Sequence, residues 1–249
     1  AIALFDEFQE LTPSGEKGDE MIRKLADRLV AVDLLDRAAD LLNHQVDFRL
    51  QGVEKARVGT RLAIVDLLNR KPEDALAALK KSEMPNLPAE VVTQRRHLTA
   101  QVLHDMGRGR EALVKLEGDD SANARLLRAE IVWKLQDWQE AARAFADLVV
   151  QPEPGKALDS DSARFVLHWA TALTLGNDDV GVARLRKSYK ELMAKSPYRD
   201  AFTLLTADTH SSLADYQKVA DKIKEAEKFQ AFLSAYRARL RAEGLSAIN

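Results

Sequence analysis

A chain of 249 residues with 46% hydrophobic and 31% charged side chains holds enough apolar material for a folded core, and its 6% aromatic content leaves alanine and leucine to supply it, a diet that favours helices over sheets. Thirty-seven basic against thirty-nine acidic side chains give a net charge of −2, so nothing global attracts a polyanion. The absence of cysteine excludes disulfides and thiol catalysis and leaves the redox compartment open. No apolar run approaches the ~20 residues of a membrane span.

Taken in order, Ala1 to Leu11 reads as an acidic helix ending at Thr12-Pro13, without the basic start of a signal peptide. The first residue is not methionine and falls in mid-repeat, so the expectation is a piece cut from a longer precursor. Ser14 to Gly18 reads as a loop, with Asp19 capping the helix that follows. Helices are predicted over 19–32, 34–49, 53–69 and 72–82, the last opened by Pro72 with Glu73 and Asp74 in its first turn. After the Met84-Pro85-Asn86-Leu87-Pro88 linker they resume over 89–106, 109–117, 122–136 and 138–150, Ser121 capping the third of these.

Residues 151–160, with Pro152, Pro154 and Gly155, form the longest irregular stretch and divide a repeat region over 1–150 from a remainder over 161–249. Helices then follow over 161–176, 179–195 and 198–213. From Asp215 to Arg241 one long helix carries Val219, Ile223, Ala226, Phe229, Leu233, Tyr236 and Leu240 at three- and four-residue steps. It suits a cap over the last repeat, or a coiled-coil seam for a second copy. Its lysines and arginines fit the solvated back of such a cap.

The beat inside this string is an alanine. Ala38-x3-Leu42 recurs as Ala75-x3-Leu79 and Ala112-x3-Leu116, a step of 37 residues each time. Upstream, Leu25-Ala26 aligns with Leu62-Ala63 and Thr99-Ala100, and Leu29 with Leu103; Asp66 is the odd member of that column. Val32-Asp33 breaks the helical register as a tight turn would. The next copy is closer, with Ala129, Val132, Ala141 and Phe145, and a weaker one covers Ala170, Leu173, Ala183 and Tyr189. One such helix pair cannot bury its apolar faces alone, so copies must stack.

This pattern resembles the tetratricopeptide repeat: a small residue where two helices cross, Ala-x3-large in the second helix, then proline. Leu25-Ala26-x2-Leu29 with Ala38-x3-Leu42 carries the resemblance, as does Ala129-x2-Val132 with Trp138, Ala141-x3-Phe145 and Pro152. The motif's early tryptophan is Ile22, Gly59, Arg96 and Arg125 here, and its glycine is alanine throughout. The resemblance implies an all-α solenoid of antiparallel helix pairs, a right-handed superhelix closed by the long C-terminal helix. It also implies a concave wall lined by first helices, on which a peptide or partner helix docks.

On that footing the lining is Arg23, Asp27, Arg57, Thr60, Ile64, Gln94, His97, Gln101, His104, Asn123, Leu126, Glu130, Trp133 and Lys134, closed by Leu167 and Thr171. Trp133 is either the aromatic anchor for a partner or part of the core. The family's carboxylate clamp needs lysine and asparagine pairs, and Arg23 with Asp27 stand at the first of them.

No residue pattern points to catalysis, a metal or a cofactor. His97 and His104 lie seven apart, too far for one zinc from one helix. Asp208-Thr209-His210-Ser211-Ser212 has neither a nucleophile elbow nor an oxyanion hole signalled nearby. Gly107-Arg108-Gly109-Arg110 lacks phosphate-loop spacing and a preceding strand, and reads as a helix–helix turn. The expectation is a non-catalytic protein-interaction scaffold, with a self-associating module as the alternative. Nucleic acid and membrane are not expected as partners, and the compartment stays open.

Overall fold

The computed structural model describes residues 15–153 and 156–207, and every regular element among them is helical. The helices are α1 (Glu16–Ala31), α2 (Leu35–His44), α3 (Gly52–Leu68), α4 (Pro72–Lys81), α5 (Ala89–Asp105), α6 (Gly109–Lys115), α7 (Ala122–Lys134), α8 (Trp138–Leu148), α9 (Ser160–Leu175), α10 (Asp179–Met193) and α11 (Arg199–Leu205). The helices expected over Ala1 to Leu11 and Asp215 to Arg241 lie outside the described residues.

The chain divides into two compact units, described over 15–115 and 116–207. The division falls after Lys115 and not at 151–160, because α8 and α9 pack on each other across that stretch. In the first unit each helix from α1 to α6 packs on the next, and α3 also meets α5. In the second, α7 packs on α8, α8 on α9, and α9 on both α10 and α11.

One turn recurs five times. At the end of α1, α3, α5, α7 and α9 stands a residue of positive φ: Asp33 (63°), Arg70 (59°), Gly107 (77°), Gln136 (59°) and Asn177 (54°). Behind each, the next N–H reaches back over the last helical turn. Leu34 donates to Leu29 at 2.9 Å, Lys71 to Asp66 at 2.8 Å, Arg108 to Leu103 at 2.8 Å, Asp137 to Val132 at 3.0 Å and Asp178 to Leu173 at 2.9 Å. These are the bonds of a Schellman ending, which satisfies carbonyls a helix end otherwise leaves bare.

The donor of each long bond is also the residue just before the next helix, its own carbonyl accepting from Ala38, Ala75, Ala112, Ala141 or Val182, four residues on. The repeated alanine is therefore placed by the turn. Ala38, Ala75, Ala112 and Ala141 are each 0% exposed, as are Ala26, Ala63, Ala100, Ala129 and Ala170 on the first helices. The fifth copy corrects the expected register by one residue: Val182 holds the position, and Ala183 is exposed.

Three further expectations change. Asp19 is no cap, since α1 begins at Glu16 behind Gly15 at φ 87°. Its buried side chain instead accepts from Arg49 Nε at 2.6 Å and Gln45 Nε2 at 3.4 Å. Those partners sit on a π-helical turn, Gln45–Arg49, that continues α2 and ends with Leu50 N–H donating to Gln45 O at 3.0 Å. The helix expected over 198–213 ends at Leu205 among the described residues, where the Thr206 hydroxyl donates to Phe202 O at 2.8 Å.

Candidate interaction surface

In the first unit α3 is the central helix, buried without a break from Val58 to Leu68. An amphipathic helix on a surface leaves one face in water; α3 has α2, α4 and α5 around it. Thr60 and Ile64 are therefore buried, not lining residues, and the Thr60 hydroxyl donates to Ala56 O at 2.7 Å. The bare Cα of Gly59 lets α4 come close: a Cβ there would lie 2.0 Å from Ser82 Oγ. His104, in the last turn of α5, is buried as well.

Into the same packing reaches Arg95, a residue the periodicity gives no reason to single out. Its guanidinium donates to Ala56 O at 2.8 Å, Thr60 Oγ1 at 2.9 Å, Ser82 Oγ at 3.2 Å and Leu79 O at 2.6 Å. Burial pulls its pKa below the ordinary arginine value, with Glu83 opposing, yet an arginine stays charged in a protein. One side chain thus ties α3, α4 and α5 together through neutral acceptors.

What remains open on the first helices forms two groups. Arg23 of α1 and Arg57 of α3 converge on Glu54 at 3.9 and 3.2 Å, with Asp27 half-buried on α1. On α5, Gln94, His97 and Gln101 are half-buried along one face, Gln101 donating to Asp105 Oδ1 at 3.0 Å. The arrangement offers amides, an imidazole and fixed charges, the equipment for hydrogen-bonding a polypeptide.

In the second unit Asn123, Leu126 and Lys134 are exposed and Glu130 half-buried on α7. Trp133 belongs to the core. Its ring meets Trp138 at 5.4 Å, Phe145 at 5.6 Å and His168 at 5.1 Å, all edge-on, as aromatic quadrupoles prefer. Leu167 and Thr171 of α9 are buried too, the Thr171 hydroxyl donating to Leu167 O at 2.9 Å. Both would have had to face outward to meet a partner.

Among the described residues no three His, Asp or Glu side chains are grouped to hold a metal, and no helix is long and apolar enough to cross a membrane. Asp208 to Ser212 lie outside the described residues. Comparison with protein-family models, with curated proteins and with solved structures returned no match.

Proposed function

We propose that this chain is a non-catalytic interaction scaffold of the tetratricopeptide-like kind, holding a peptide or partner helix against the open side chains of its first helices. The observation that carries the reading is the fivefold recurrence of one turn, with the same bonds and a left-handed residue each time, followed in four of the five by a buried alanine four residues on. A wall built of such hairpins is rigid before a partner arrives, so little conformational entropy is lost on binding. Arg23, Asp27 and Arg57, with Gln94, His97 and Gln101, are the contacts expected in the first unit. Asn123, Leu126, Glu130 and Lys134 are those expected in the second.

The test is site-specific photo-crosslinking in the native host, with the crosslinker placed at Gln94, at Gln101, and at Arg143 on the exposed side of α8. The expected result is one shared adduct from the two α5 positions and none from Arg143. Equal labelling from all three, with helicity unchanged, overturns the assignment.

A further inference from the structure

The outer face of α10 carries a row of cations. Arg184, Lys187, Lys190 and, just beyond its end, Lys195 are exposed, and among the described residues none of the four is in an ion pair. Several cations on other helices find a carboxylate a turn away: Lys24 with Glu20 at 2.6 Å, Arg108 with Glu111 at 2.6 Å, Arg143 with Glu140 at 2.5 Å, Arg164 with Asp161 at 3.2 Å. On α10 Arg184, Lys187 and Lys190 follow one another at three-residue steps, where like charges repel along a helix, and Glu191 is the one carboxylate at a four-residue step from Lys187 and Lys195.

Helical geometry puts the four within an arc of about 140° and along about 16 Å of axis. Glu191 is the one carboxylate inside that arc. The opposite side of α10 is fixed by Leu185, Tyr189 and Met193, all buried. The strip is thus a preformed row of net positive charge in a chain whose total is −2.

We infer that this face of α10 docks an acidic protein segment whose carboxylates recur at three- and four-residue steps. Charge complementarity carries the choice of partner. A membrane surface needs an apolar band, and the strip offers only Val180, Ala183 and Ala194. A nucleic acid needs stacking side chains or an extended basic field; the strip carries no aromatic residue and the chain is net acidic. The inference goes beyond the proposed function, because α10 is a second helix and recognition here is by charge, not by the polar face of the first helices.

The test is fluorescence anisotropy on the full chain with a labelled helical peptide about 16 residues long, its glutamates at three- and four-residue steps. Saturable binding that weakens with salt is expected. R184Q/K187Q/K190Q/K195Q weakens it at least about tenfold, and E191Q tightens it about twofold. K17Q/K80Q/R110Q/K115Q removes equal charge from the first unit and stays within about twofold of the parent. Circular dichroism follows folding, and E191Q carries the test if the quadruple variant unfolds. Equal loss from both quadruple variants, no saturable binding, or tighter binding of a single-stranded oligonucleotide or an anionic vesicle overturns the inference. None of these outcomes touches the crosslinking from α5.

Discussion

Asp66 and Lys71 close the second hairpin together: the Lys71 N–H donates to the Asp66 carbonyl at 2.8 Å, and the Asp66 side chain is 5% exposed. The other four hairpins carry Leu29, Leu103, Val132 and Leu173 at that position, all buried. Burial, with Asp74, Asp36 and Asp40 nearby, pushes the Asp66 carboxyl up to about 7, and Lys71 only partly opposes this. A folded value above the unfolded one means no penalty below about pH 4 and a growing loss of stability as pH rises towards 7. Asp66→Asn therefore stabilises the protein at pH 8 by on the order of 2 kcal/mol, raising its melting temperature, and leaves it nearly unchanged at pH 4. Paired melts of both proteins across that range check it, and a difference independent of pH overturns it.

Gly59 and Ser82 set how closely α3 and α4 approach. A methyl at Gly59 would meet Ser82 Oγ at 2.0 Å and Ser82 Cβ at 2.2 Å, too near for a rotamer change to relieve. Gly59→Ala is expected to destabilise by about 1–3 kcal/mol. Adding Ser82→Gly removes both clashing atoms, so the double variant is more stable than Gly59→Ala alone. Urea unfolding of the four proteins gives the coupling; additive losses would show that the two residues do not meet.

Arg95→Met leaves the Leu79 and Ala56 carbonyls and two hydroxyls without their buried donor. The expected loss is about 2–4 kcal/mol, larger than for Arg95→Lys, which keeps the charge and some of the bonds. Chemical denaturation ranks the three proteins, and hydrogen exchange locates the change. Faster exchange is expected in α3, α4 and α5 together, because one side chain joins all three.

Four of the five left-handed turn residues are not glycine. Gln136 has no Cβ-free backbone to relax into, so Gln136→Gly is expected to stabilise by about 0.5–1 kcal/mol, the relief of left-handed strain less the entropy glycine adds to the unfolded chain. Leu34 offers a second gain. It stands where Asp137 and Asp178 accept an N–H from Glu140 at 3.3 Å and Gly181 at 2.8 Å, but it has no acceptor. Leu34→Ser supplies one, worth about 1 kcal/mol in a thermal melt.

Much of the fold was legible in the sequence because it rests on periodicity. The buried alanines at 26, 38, 63, 75, 100, 112, 129 and 141 recur at helical spacing beside leucines, and the helix ends they imply fall within a few residues of those observed. What escaped depended on geometry without a residue signature. Asp33, Arg70, Gln136 and Asn177 take a conformation glycine usually advertises. The π-helical turn at Gln45–Arg49 has no pattern of its own. In the fifth copy the alanine pattern points to Ala183, whereas the turn places Val182.

The candidate surface is less legible in the sequence, for one reason. A helical wheel shows which residues share a face, but not how many neighbours cover that face. Thr60, Ile64, His104, Leu167 and Thr171, which the pattern turns outward, are covered by adjoining helices, and Trp133, open to either reading, is core. Arg23, Asp27, Arg57, Gln94, His97 and Gln101 keep some solvent access, as do the polar residues of α7.

Because one residue both closes the first helix and caps the second, inserting a residue into the turn would break one bond or the other. The room for a change in length lies at the junctions between hairpins. The caps at Leu34, Lys71, Arg108, Asp137 and Asp178 are unevenly spaced while the turns themselves are alike. A foreign loop should graft readily at 83–88 or 117–120, and should unfold its host hairpin when spliced in at 33, 70, 107, 136 or 177.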